Sequence, residues 1–287
     1  MEGPAAAIRR YELSVRGATD AVLFRRGWIP EHARASVLVV HGFGEHSGRY
    51  EHVGRWLAQR GFAVHAYDHR GHGRSAGRRC HVDRFGEYLD DLAAVLERVR
   101  SDAPELPLFL IGHSMGGLVV AAFARERSPS ASGIVLSGAA LALPEGKTRI
   151  RIARLIRAVF PRLRLAAGLD LAGLSTDPRV LEAYLADPLV ERKMTASHAV
   201  ELLAAVERTG GGGADVALPL LVLHGGDDPI CAPGGSERFA AAARKARFIR
   251  YPGLRHEIFN EPRFEDVLAD VASFFEERLD GPRSTGR

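Results

Sequence analysis

Cysteine is scarce in this 287-residue chain, with Cys80 and Cys231 the only two. Two thiols so far apart cannot frame a fold, which excludes a disulfide scaffold and fits a reducing compartment, with a cytoplasmic location as the expectation. Long apolar runs are also missing. No stretch approaches the roughly 18 residues that a membrane span needs. The amino-terminal MEGPAAAIRRYELSVRG has no apolar core of signal-peptide length. Neither sign of charge prevails: 39 basic against 35 acidic residues leave +4, too even a balance to argue for nucleic acid as a partner. No internal repeat is present, and GGGG at 210–213 is the only low-complexity stretch. No GxGxxG opens a helix after the first strand of a βαβ unit, so the chain lacks a dinucleotide fingerprint.

What the chain does have is apolar material, 46% of its residues, enough for a substantial core in one globular unit. RYELSVRGATDAVLFRRGWIP reads as two strands joined by a turn at Gly17 to Asp20. ASVLVVHG, GFAVHAYD, LPLFLIGHS, ASGIVLSG, LPLLVLHGGDD and ARFIRYPG are apolar runs of the kind found in strands buried on both faces of a parallel sheet. Helical stretches separate them, among them EHVGRWLAQR, GEYLDDLAAVLERVRSDAP and GLVVAAFARER. In the last, PRFEDVLADVASFFEERL, Val267, Leu268, Val271, Phe274 and Phe275 form one stripe. Strand and helix in alternation predict an α/β fold with a mostly parallel sheet covered by helices on both faces. The alternation lapses between about Leu141 and Leu218. That divides the chain into core segments 1–140 and 218–287 and a helical cap, 141–217, inserted between two strands of one sheet.

LFLIGHSMGG has the form strand, Gly-x-Ser-x-Gly, helix, the pattern of a nucleophile elbow that lifts Ser114 clear of the sheet. A serine hydroxyl attacks only when a base takes its proton, and that base needs a carboxylate to orient it. In such folds the acid and then the histidine follow the serine, each in a loop at the carboxyl end of a strand. HGGDDPI offers Asp227 or Asp228, and position alone leaves the choice open: one would orient the imidazole, the other would cap the turn before Pro229. His256, in GLRHEIF, follows the last strand. The oxyanion amides fall to Met115, next after the serine, and to Phe43 in the loop HGFGEHSGRY.

Together HGFGEHSGRY (41–50), DHRGHGRSAG (68–77), GHSMGG (112–117), ADPLV (186–190), HGGDDPIC (224–231) and the RH of GLRHEIF resemble the monoacylglycerol lipases and lysophospholipase-like members of the α/β-hydrolase fold. The resemblance implies Ser114 as nucleophile, Asp228 as acid, His256 as base, and Phe43 and Met115 as oxyanion donors. It also implies that Glu45 and Arg49 organise the polar end where glycerol sits. Where some members carry a second histidine three residues past the base, this chain has Phe259. The implied activity is ester hydrolysis of monoacylglycerols without metal or cofactor. Lysophospholipase or broader carboxylesterase activity, and a non-catalytic ligand-binding relative, are the alternatives.

Two further features need a place. His65, His69 and His72 have spacings a metal site could use, but Gly71 and Gly73 break the helix such ligands would want. From Gly146 to Gly168 the chain carries one lysine, six arginines and no acid. Ile152, Leu155, Ile156 and Val159 recur there at helical spacing with Arg151, Arg154 and Arg157 between them. One reading packs this helix on the core with its arginines in solvent. The other makes it an interfacial lid that touches anionic lipid transiently, leaving the protein peripheral to a membrane.

Overall fold

The computed structural model describes residues 7–143 and 147–280, and only the backbone of 147–150. Residues 1–6, Gly146 and the side chains of Lys147 and Arg149, all used in the sequence argument, therefore lie outside the described residues.

The chain opens with an antiparallel hairpin, β1 (Ile8–Arg16) and β2 (Val22–Pro30), which joins the edge of the main sheet. Next come β3 (Ala35–Val40), α1 (Glu51–Ala58), β4 (Phe62–Tyr67), α2 (Gly86–Asp102), β5 (Leu108–His113), α3 (Met115–Arg127) and β6 (Gly133–Ser137). After the insertion follow β9 (Leu220–Gly225), α7 (Pro233–Ala242), β10 (Ala246–Tyr251) and α8 (Phe264–Leu279). The sheet order is β1-β2-β4-β3-β5-β6-β9-β10, parallel from β4 to β10.

The six apolar runs are the six strands of this parallel block. Their side chains divide with period two. Val37, Val39, Phe109, Ile111, Leu221 and Leu223 enter one apolar layer, while Leu38, Val40, Leu108, Leu110, Leu220 and Val222 enter the other. The first layer meets α1 and α8, where Phe275 stacks on Phe109 at 4.3 Å between ring centroids. Burying such a ring stabilises the fold by about 2–3 kcal/mol. The second layer meets α2, α3 and α7. β10 differs from expectation: as the outermost strand it is only half-buried, with Arg247 and Arg250 in solvent.

Between β6 and β9 lie α4 (Lys147–Val159), β7 (Arg164–Ala166), α5 (Pro178–Ala186), β8 (Lys193–Thr195) and α6 (Ala196–Thr209). The two Asp-Pro pairs bracket α5: Asp177 accepts the Arg179 N–H at its start, and Asp187 follows its last residue. A helical insertion was expected. The antiparallel ribbon of β7 with β8 was not, because three residues are too few to show a period of two.

Because β3, β5, β9 and β10 run parallel, the loops after them gather at one edge of the sheet. Ser114, Asp228, His256 and Phe43 all belong to these loops.

Candidate active site

The elbow is strained in the manner its sequence predicts. Ser114 sits between β5 and α3 with φ +53° and ψ −118°, a conformation L-residues rarely adopt. Its N–H donates to Ser137 O at 2.9 Å and its carbonyl accepts from Ala140 N–H at 3.0 Å, so the turn is held from the neighbouring strand. Gly116 is required by proximity, since a Cβ there would lie 2.1 Å from Val40 O.

The three expected residues converge. His256 Nδ1 is 2.7 Å from Asp228 Oδ2, and its Nε2 is 2.9 Å from Ser114 Oγ. An ionised carboxylate only accepts, so Nδ1 carries the proton and Nε2 is the acceptor that faces the serine. Burial alone would raise the Asp228 pKa, but hydrogen bonds from His224 and His256 prevail and hold it well below the usual carboxylate range. For His256, burial disfavours the charged form, but Asp228, Glu257 and Glu45 outweigh it and raise the pKa above 6.5. His113, its ring 4.9 Å from that of His256, is pushed down to about 4 by burial and by His256, which suits a packing role.

The choice between the aspartates resolves in an unforeseen way, because one residue does both jobs. Asp228 Oδ2 serves the imidazole, while Oδ1 caps the turn through the N–H groups of Ile230 at 2.8 Å and Cys231 at 3.0 Å. Asp227 is exposed.

The loop after β3 packs directly against the serine, for a Cβ on Gly42 would lie 3.0 Å from Ser114 Cβ. His41 takes the His69 N–H on Nε2 at 2.9 Å, so its Nδ1–H donates to Gly42 O at 2.7 Å. That carbonyl is thereby turned away, and the N–H of Phe43 in the same trans peptide points the opposite way. Among the described residues neither Phe43 N–H nor Met115 N–H donates to another protein group. Glu45 Oε1 accepts Gly42 N–H at 2.6 Å and Tyr50 O–H at 2.8 Å, while Oε2 accepts Arg49 Nη1 at 3.1 Å. Glu45 lines the cavity. Arg49 stands behind it with its guanidinium forked onto Glu257.

That cavity, about 1140 Å³, runs from Ser114, His256 and Phe43 under the insertion, where Ala153, Ile156, Leu202 and Val206 form its apolar roof. Cys231 lines it as a buried free thiol, and Cys80 is likewise free, next to His72. The insertion also rests on the loop after β3. Glu191 N–H donates to Gly44 O at 2.7 Å, His46 Nε2–H to Asp187 Oδ2 at 2.8 Å, and the Tyr184 ring lies 5.0 Å from the Arg49 Cζ. Gly44 has φ +72°, and a Cβ there would lie 2.2 Å from Glu191 O.

A family model described as serine aminopeptidase, S33, matches residues 31–263. A monoacylglycerol lipase of Mycolicibacterium smegmatis is 35% identical over 276 residues, 94% of this chain and 98% of that one. The chain belongs to the monoacylglycerol lipase and lysophospholipase-like family of α/β-hydrolases. The human monoglyceride lipase is 37% identical over 251 residues, covering 85% of this chain and 82% of its own. The crystal structure of the Paleococcus ferrophilus monoacylglycerol lipase superposes with a TM-score of 0.81 at 31% identity, covering 89% of this chain and 99% of the other. The protein is accordingly a carboxylic ester hydrolase with the α/β-hydrolase fold.

Three site residues escaped the sequence argument. His224 donates Nε2–H to Asp228 Oδ2 at 3.0 Å and accepts Ser236 O–H on Nδ1 at 2.8 Å. Glu257 holds Arg49. Tyr184, buried on the cavity wall, has a hydroxyl with no partner among the described residues. Only Glu257 left a trace, as a charge beside the expected base. His65, His69 and His72 do not form a set: His65 meets Tyr11 and Arg25, whereas His69 and His72 pack with His41, which opens the loop after β3. No helix among the described residues is long and apolar enough to cross a membrane.

Proposed function

We propose that the protein hydrolyses monoacylglycerols to fatty acid and glycerol through Ser114, His256 and Asp228. The relay from Asp228 through His256 to Ser114, opening onto a long apolar cavity, carries this reading. Ser114 Oγ attacks the acyl carbonyl as His256 Nε2 takes its proton. The amides of Phe43 and Met115 receive the oxyanion, with Met115 also at the positive end of α3. His256 then protonates the departing glycerol oxygen, and the acyl-enzyme remains. Water, activated by the same imidazole, releases the fatty acid.

Residues 141–217 act as the cap between core segments 1–140 and 218–287, and their apolar undersides take the acyl chain. Glu45 and the Tyr184 hydroxyl, which has no partner among the described residues, both line the cavity and offer an acceptor and a donor for glycerol hydroxyls, with Arg49 acting through Glu45. The outer face of α4 supports brief contact with anionic lipid.

Glu45 and Glu257 on the cavity wall favour a neutral alcohol over a phosphate head group, because like charges repel strongly where water is scarce. We expect kcat/KM on a 1-monoacylglycerol to exceed that on the matching lysophosphatidylglycerol, whose head group is a net anion, by about tenfold or more. Ser114→Ala should lower both by about 10⁴-fold. Near-normal turnover by that variant would overturn the mechanism, and a reversed substrate order would make the lysophospholipid the substrate.

A further inference from the structure

The oxyanion donor Phe43 and the base His256 lie on different loops, after β3 and β10, yet both must meet one tetrahedral carbon. A displacement of about 1 Å between such groups can cost on the order of 10²-fold in rate. Arg49 spans the two loops. Its Nη1 and Nη2 donate to Glu257 Oε1 and Oε2 at 2.6 and 2.8 Å, and Nη1 also reaches Glu45 Oε2 at 3.1 Å. Glu45 in turn grips Gly42 N–H, one residue before Phe43, and Glu257 directly follows His256. Asn260 Nδ2 steadies Glu257 Oε2 at 2.9 Å. The three charged side chains are at most 11% exposed. A planar fork on a carboxylate fixes distance and direction together, which a lysine could not do.

We propose that Arg49 and Glu257 are positioning residues that lock the oxyanion loop and the base loop into one register, so that the Phe43 amide and the His256 imidazole converge on the same reacting carbon. This rests on the hydrolase mechanism proposed above. One guanidinium between two carboxylates also leaves an excess negative charge beside the base. The groups that face His256 are Asp228 from the loop after β9, His113 from β5, Glu45 from the oxyanion loop and Glu257 from its own loop. The excess charge favours the imidazolium, which forms on the reaction path as Ser114 gives up its proton. Glu257 thus acts on the transition state more than on bound substrate.

The test is turnover of a soluble short-chain ester per active site, with sites counted by a fluorophosphonate titrant so that misfolded protein does not register. For Glu257→Gln we expect kcat to fall by about 10- to 100-fold with KM within about twofold. The acid limb of its pH profile should move to lower pH, since removing a negative neighbour lowers the pKa of the base. Arg49→Lys keeps the charge count but loses the fork, so kcat should fall while the acid limb stays in place. Unchanged kcat per titrated site in Glu257→Gln would overturn the proposal. If that variant does not fold, unchanged kcat in Arg49→Lys would do so. Loss of Ser114 without loss of turnover would instead overturn the underlying mechanism.

Discussion

At the scale of single residues, Asp228 is the most constrained group in the site, with four donors on its two oxygens. His224 is one of them and touches neither Ser114 nor His256 through any hydrogen bond of its own. Removing it leaves the imidazole as the only donor on Oδ2, so the carboxylate can tilt about its Oδ1 anchors and carry the imidazole with it. We expect His224→Ala to lower kcat by about tenfold and His224→Gln, which can still donate to Oδ2, to recover most of the loss. Equal kcat in His224→Ala and wild type, measured on a soluble ester, would assign His224 to packing alone. The sequence made Ser114 and His256 legible because each follows an apolar strand run in the order that triad chemistry demands. It left Asp227 and Asp228 unresolved from position alone, because adjacent residues on a turn differ only in direction. His224, Glu257 and Tyr184 stayed hidden because their roles exist only where separate loops meet.

At the scale of elements, the apolar runs announced the strands of the parallel block, since burial on both faces leaves few polar positions in β3, β4, β5, β6 and β9, while the edge strand β10 keeps enough apolar residues to be read between Arg247 and Arg250. α4 was legible only in part. Ile152, Leu155, Ile156 and Val159 read as one stripe, but the helix buries Ala153 and half-buries Ile156 toward the cavity, while Leu155 is 72% and Val159 67% exposed. Phe160, just beyond it, is 63% exposed. Periodicity tells which side chains share a face, not how far round the helix its neighbours reach. Of the arginines between them, Arg157 pairs with Glu201 at 2.8 Å, and Arg154 approaches Glu207 only at 3.8 Å. Large apolar side chains left in water beside basic ones are the composition of a surface that settles on anionic lipid. We expect Leu155→Ser together with Val159→Ser to reduce co-sedimentation with phosphatidylglycerol-containing vesicles by about tenfold or more, each lost contact weakening binding by about 1.5–3 kcal/mol. Hydrolysis of a soluble ester should be unaffected. Vesicle binding equal to wild type would remove the lid from consideration as a membrane contact.

At the scale of the whole molecule, the buried histidines make stability depend on pH. Burial lowers His41 to about 4, with Asp68 opposing, and lowers His72 and His198 to about 3, reinforced in each case by a neighbouring histidine. His65, beside Arg25, also falls to about 3, and His69 lies well below 6.5. All are neutral in the folded protein near neutral pH, whereas the unfolded chain takes up protons as the pH falls through about 6.5. Stability is therefore full above that range and drains as the pH falls toward 3 to 4. The raised pKa of His256 acts in the opposite direction, one group against several. Each proton taken up on unfolding adds about 1.4 kcal/mol per pH unit to the slope. We expect urea unfolding to show a steep fall in stability between pH 7 and pH 5, and a flat profile across that interval would contradict these shifts. None of this was legible in twelve histidines scattered along the chain, since neutrality by burial depends on where the fold puts them.

The seat of the insertion on the loop after β3 has a consequence for exchanging it between relatives. Tyr184, Asp187 and Glu191 lie in one strip of the insertion, and Gly44, His46 and Arg49 lie in one loop of the core, each contacting the other. Replacing the insertion with a relative's would part the two strips and remove these contacts. The two strips form one contact unit, although more than a hundred residues of sequence lie between them.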